Sequence, residues 1–152
     1  TTASEGRGTR VPFTHVGAPW ADADALAAEL NGAGLAGVRF EPARFTPVDL
    51  PGQATNPKWE GREIGGVRLI VTDPEAFLPL ATGVYVVNAI YRQAGSSARR
   101  DFFKADWMAK LTGSHRLRRA LQSGTPPAEV VAQWRTEAAL FDQTAAPYRL
   151  YD

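Results

Sequence analysis

Apolar positions in the first half of the chain fall into short alternating runs, and in the second half into spacings of three and four. VPFTHVGAPW, Val11 to Trp20, reads as a strand closed by Gly17 and Pro19. ADADALAAELNGAG follows as a helix that Asp22 or Asp24 can cap, with Leu26 and Leu30 on one face and Gly32 or Gly34 at its end. GVRFEPARFTPV alternates at Val38 and Phe40 and then changes phase to Ala43 and Phe45, with Pro42 at the bulge or sheet edge that the change implies. GGVRLIVTD puts Val67, Leu69 and Val71 on one side and Arg68, Ile70 and Thr72 on the other. The predicted strands thus lie near residues 11–17, 37–46 and 64–72, the last two paired.

From Thr72 the period becomes helical. TDPEAF carries a cap-like Thr or Asp with Pro74 early in a helix, and ATGVYVVNAIYRQAG continues with Val84, Val87 and Tyr91 on one face. KADWMAKLTG and SHRLRRALQSG add two more helices. TPPAEVVAQWRTEAALFDQ adds another, opened by Pro126 and Pro127, with Val130, Trp134, Ala138 and Phe141 on one stripe. The tail APYRLYD reads as a short terminal strand or docked extension. Strands first and helices after, with no strict βαβ rhythm, predict an α+β fold: a small sheet packed with about five helices.

Composition narrows the function. The chain has 152 residues, 44% of them hydrophobic, enough for one domain with its own core. Seventeen Lys plus Arg against sixteen Asp plus Glu leave a net charge of +1, which argues against nucleic acid as a partner. With no cysteine there is no thiolate nucleophile, disulfide or Cys-type zinc site. His15 and His115 stand far apart without clustered acids, so no metal site is expected. No apolar run approaches the roughly 20 residues of a membrane span, and TTASEGRGTR lacks the layout of a signal peptide.

Candidate chemistry concentrates in loops. SEGRGT threads Glu5 and Arg7 among glycines. A carboxylate can serve glycoside cleavage, and a guanidinium fork suits a substrate carboxylate, although a turn with incidental charges explains the same residues. DLPGQATNPKWEGREIGG is too long and polar for a tight turn and reads as a site-lining loop. Trp20 and Trp59 adjoin turn residues and could stack on a sugar, whereas Trp107 and Trp134 read as core. Arg116, Arg118 and Arg119 occupy the solvated face of their helix, and His115 stands at its start.

SEGRGT, PFTHVGAPW, GVRFEPARFTP, GGVRLIVTD, AFLPLATG, LTGSHRLRRALQSG and PYRLY, in this order, resemble the C-terminal portion of the exo-β-N-acetylmuramidase family, long catalogued as a bacterial domain of unknown function. The resemblance covers essentially the whole chain. It implies a glycoside hydrolase that releases terminal N-acetylmuramic acid from peptidoglycan fragments, built from an N-terminal Rossmann-like domain and a C-terminal α/β domain meeting at a cleft. On that reading residues 1–10 form an interdomain site loop and 11–152 the second domain, without its Rossmann-like partner, and the isolated chain is inactive. Glu5 becomes a candidate catalytic carboxylate, with Arg7, Thr9, Trp20 and Trp59 as substrate-binding candidates and no cofactor. The implied partners are a muropeptide and the upstream domain. The substrate implies a periplasmic or secreted location, with cytoplasmic recycling as the alternative. A non-catalytic sugar-binding or scaffolding module is the alternative function. Two departures stand out: GREIGGV lacks a cysteine common before GGV in relatives, and QTAAPYRLY lacks the arginine that commonly precedes PYLLY, which implies altered specificity if that arginine meets ligand.

Overall fold

The computed structural model describes residues 1–150. Strands β1 (His15–Ala18), β2 (Val38–Phe45) and β3 (Ile64–Val71) form one antiparallel sheet in the order β1-β3-β2. Helix α1 (Ala23–Gly32) lies between β1 and β2 in sequence. Helices α2 (Pro79–Gln93), α3 (Ser96–Asp101), α4 (Ala105–Thr112), α5 (Arg116–Gln122) and α6 (Pro127–Ala145) follow the sheet, giving the α+β architecture.

The sequence signals for α1 act as expected. The Asp22 side chain accepts from the N–H groups of Asp24 and Ala25, both at 3.0 Å, satisfying donors that a helix start leaves free. Leu26 and Leu30 are buried with Phe40, Val67 and Ala18 in the larger core, to which α2 adds Val86, Ala89 and Ile90. Asn31 fastens α1 to β2: its side-chain amide donates to the Phe40 carbonyl (2.8 Å), and its oxygen accepts from the Phe40 N–H (2.9 Å).

Several expectations need correction. The run from Val11 is not strand throughout, because Val11–Thr14 turn, with Phe13 at φ 67°, and pairing begins only at His15. No bulge interrupts β2: its register against β3 is continuous from Val38↔Val71 to Phe45↔Ile64. The change of apolar phase instead reflects cover on both faces of the sheet, with Phe40 against the α1 side and Phe45 beside His15 on the other, ring centroids 5.4 Å apart. Pro42 sits comfortably on this edge strand. Phe40 directs its N–H outward to Asn31, so the nitrogen two residues on also points away from β3 and its missing hydrogen breaks no ladder bond.

TDPEAF forms no helix. Asp73 Oδ1 accepts from the N–H groups of Glu75 and Ala76, and Gly37 O from those of Thr72 and Asp73, which ties the segment into a turn. Helix α2 starts later, with Pro79 in its first turn. The tail is neither strand nor docked as far as it is described: Ala146–Tyr148 form a 3-10 turn with Tyr148 exposed, and Tyr151 and Asp152 lie outside the described residues.

A second, smaller core joins Val84 of α2 to Met108, Leu117, Leu121 and Val130, with Trp134 packed against it. The α6 stripe buries only its beginning, since Phe141 is 72% exposed, and Trp107, expected in the core, is 67% exposed. Helix α4 turns Met108 inward instead.

Candidate functional site

The opening segment is built into the fold. Ser4 is buried and exchanges both backbone hydrogen bonds with Gly17, extending the sheet by one bridge beside β1. The chain then turns through Gly6 and Gly8, whose φ values of 77° and 80° L-residues other than glycine adopt only with strain. Space is also short. A Cβ on Gly6 would lie 2.8 Å from the His15 carbonyl oxygen, and one on Gly8 would lie 2.7 Å from both the Val48 oxygen and Pro57 Cγ. Both glycines are therefore dictated by a close approach to β1 and to the 47–63 loop. The residues that flank and separate them are half-buried or exposed: Glu5 and Thr9 on either side and Arg7 between.

Arg7 and Thr9 line a cleft of about 300 Å³ with Gly8, Pro12 and Phe13 on the opening loop and Leu50, Gln53 and Ala54 on the facing loop. The long loop thus supplies a wall, as its length and polarity suggest. Thr9 is held by its own turn, its hydroxyl donating to the Gly6 carbonyl at 2.7 Å. Glu5 lies outside the lining; its carboxylate takes an ion pair from Lys58 Nζ at 2.7 Å, and the same ammonium reaches the Ala3 carbonyl at 3.1 Å. Among the described residues, none that lines the cleft carries a carboxylate.

Trp20 and Trp59 meet each other, edge to face at 5.9 Å, away from the cleft lining. The Trp20 indole N–H donates to the Ile90 carbonyl, and that of Trp59 to the Thr2 carbonyl. Arg62 lies over the Trp59 ring at 5.7 Å. The pair braces the opening segment from below. Phe13, which sequence reasoning absorbed into a strand, is the aromatic residue on the cleft, 73% exposed. Its only sequence signal was an aromatic directly after Pro12 in a segment bounded by turn residues.

His15 stands beside this loop. Burial, then the positive charge of its register partner Arg68, lowers its pKa below the ordinary 6.5, with partial relief from the Val11 backbone. The unfolded chain takes up that proton first as pH falls. Stability is therefore full above about 6.5 and declines below it towards the folded pKa, with a slope of less than one proton. Melting temperatures recorded against pH check this: His15→Gln should flatten the acid limb, and an unchanged limb would assign it to other groups.

The same architecture occurs elsewhere. The family model described as "Exo-beta-N-acetylmuramidase NamZ, C-terminal" matches residues 1–151. The chain belongs to the NamZ C-terminal domain family. The peptidoglycan β-N-acetylmuramidase NamZ of Bacillus subtilis (strain 168) is 32% identical over 151 residues, which are 99% of this chain and 34% of that protein. Two crystal structures of DUF1343 family proteins from Bacteroides fragilis NCTC 9343 share the fold. One superposes with a TM-score of 0.81 at 22% identity, covering 99% of this chain and 38% of its own. The other gives 0.66 at 23%, covering 100% and 37%. The chain thus spans about a third of the length of these relatives. Among the described residues, no helix is long and apolar enough to cross a membrane.

Proposed function

We propose that this chain is the sugar-selecting part of a peptidoglycan-degrading exo-β-N-acetylmuramidase, a glycoside hydrolase that removes terminal N-acetylmuramic acid from cell-wall fragments. One observation carries the reading: Arg7 stands exposed on a loop pinned by two sterically required glycines and lines a cleft to which the described residues bring no carboxylate. N-acetylmuramic acid differs from N-acetylglucosamine by a lactyl ether bearing a carboxylate. A guanidinium on that wall meets the anion in a charge-assisted, bidentate geometry that the neutral sugar cannot reproduce.

The same absence of wall carboxylates divides the labour. Glycoside hydrolysis needs an acid and a second carboxylate, or an equivalent group, on opposite sides of the bond. Glu5, the carboxylate of the opening loop, is ion-paired to Lys58 and lies outside the cleft lining. The reading therefore includes an upstream Rossmann-like domain that completes the catalytic set, with residues 1–10 at the junction, and an isolated chain that binds without turnover. A peptidoglycan substrate favours a periplasmic or secreted location, with cytoplasmic recycling as the alternative.

In the enzyme carrying both domains, Arg7→Ala is expected to lower kcat/KM on muramic substrates by about 10- to 100-fold, the equivalent of losing a hydrogen-bonded charge pair worth about 1.5–3 kcal/mol. Hydrolysis rates of an N-acetylmuramic acid glycoside test this directly. Unchanged kinetics would remove Arg7 from the site and with it the basis of the reading.

A further inference from the structure

Among the described residues, three that are not glycine hold positive φ: Phe13 at 67°, Asn56 at 48° and Trp59 at 62°. Asparagine tolerates this region, and Trp59 has its indole fastened to Thr2 and packed against Trp20. Phe13 has neither excuse. Its ring is 73% exposed, so no packing of the side chain compensates the strained backbone. What holds the conformation is the main chain: the Phe13 N–H donates to the Glu5 carbonyl at 2.8 Å, across the turn that Gly6 and Gly8 create.

The strain therefore presents a large apolar ring to solvent at the mouth of the Arg7 cleft, whose volume lies at the low end for small-ligand pockets. A pyranose has an apolar face of C–H bonds, and an aromatic ring, negative at its face, is its natural platform. Arg7 lines the same cleft, while Leu50 and Gln53 form the opposite wall.

We propose that Phe13 is a substrate-binding residue whose ring packs on the C–H face of the terminal sugar while Arg7 takes the lactyl carboxylate. This rests on the sugar-selecting reading of the same cleft and deepens it by dividing recognition in two. Phe13 supplies affinity for the pyranose ring common to both N-acetylated sugars, and Arg7 supplies the preference for the acidic one.

The test is an NMR titration of the isotopically labelled chain with N-acetylmuramic acid and, separately, N-acetylglucosamine, for wild type, Phe13→Leu, Phe13→Tyr, Phe13→Gly and Arg7→Ala. Both sugars should shift the Phe13 ring resonances, and the sugar ring protons should move upfield under the ring current. Phe13→Leu should raise both dissociation constants about fivefold or more, whereas Phe13→Tyr should leave them nearly unchanged. Phe13→Gly should abolish stacking while its melting temperature stays level or rises, because glycine relieves the positive φ. Normal binding by the leucine and glycine variants, or a marked fall in the melting temperature of Phe13→Gly, would overturn the proposal. Failure of the Arg7 reading looks different: both sugars would bind wild type alike, and Arg7→Ala would change neither. Selective muramic acid binding that Arg7→Ala removes and the Phe13 variants leave intact would overturn the role of Phe13 alone. Silence from both sugars would overturn both.

Discussion

Phe102→Ala is expected to cost about 3–5 kcal/mol of folding stability, a large share of what a domain of this size possesses. Phe102 has no solvent exposure and is the largest fully buried side chain among the described residues. Its ring meets those of Phe103 at 4.9 Å, Tyr91 at 5.3 Å and Trp20 at 6.2 Å, edge-on or tilted, the arrangements in which aromatic quadrupoles attract. Three elements converge on it: the segment after α3, helix α2 through Tyr91, and the turn before α1 through Trp20. Its carbonyl also accepts the Thr2 N–H at 2.8 Å. Alanine would leave a cavity that the surrounding rigid rings cannot close. Urea denaturation of wild type and variant measures the loss. A cost below about 1 kcal/mol would mean that the ring cluster collapses around the gap and that Phe102 does not hold these elements together.

Gly8→Ala should rank next, at about 2–5 kcal/mol, and should also impair sugar binding. Two penalties add: about 1–2 kcal/mol for placing a Cβ at positive φ, and a further 1–3 for forcing it into the Val48 carbonyl and Pro57. Gly52 is the internal control. It has φ 77° and nothing within 4 Å of a built Cβ, so Gly52→Ala carries the first penalty alone. The difference between the two variants isolates the steric contact. Relief of that contact must push the opening loop and the 47–57 segment apart, which breaks the Val48 N–H bond to the Gly8 carbonyl and opens the cleft that Arg7 lines. Equal stability of the two alanine variants would show that the loops part without cost.

Much of the fold was legible because local chemistry and tertiary packing agree there. Asp22 both caps and precedes the right stripe of leucines, and the alternation of Val67 and Leu69 coincides with a sheet face that α1 covers. Legibility fails where a pattern depends on what lies opposite it. Phe141 keeps the helical phase of Val130, yet the small core ends before reaching it. Trp107 and Met108 are adjacent, so only the direction of the neighbouring elements decides which turns inward. Pro74 and Pro79 are equally good helix openers, and the carbonyl of Gly37, far away in sequence, selects the second by tying down the first.

The candidate cleft was only partly legible in the sequence. The charges in SEGRGT mark the loop, and the structure brings Arg7 and Thr9 into one cleft while turning Glu5 to Lys58. Trp20 and Trp59 adjoin turn residues, a signal for exposure that takes no account of the Ile90 and Thr2 carbonyls that accept their indole N–H groups. Phe13 was invisible because positive φ is a property of the turn and not of the residue type.

The way α1 and the opening segment embrace the sheet has a consequence for association between molecules. A three-stranded sheet has two edges, and each could recruit a strand from another chain and seed aggregation. Here Ser4 already occupies the outer hydrogen-bonding groups of Gly17, the Asn31 amide occupies those of Phe40, and Pro42 offers no donor at the next outward position of β2. Arg39, Glu41 and Arg44 add charge along the same strand. The contacts that shape the monomer thus also serve as guards, denying a growing fibril a template at either margin of the sheet.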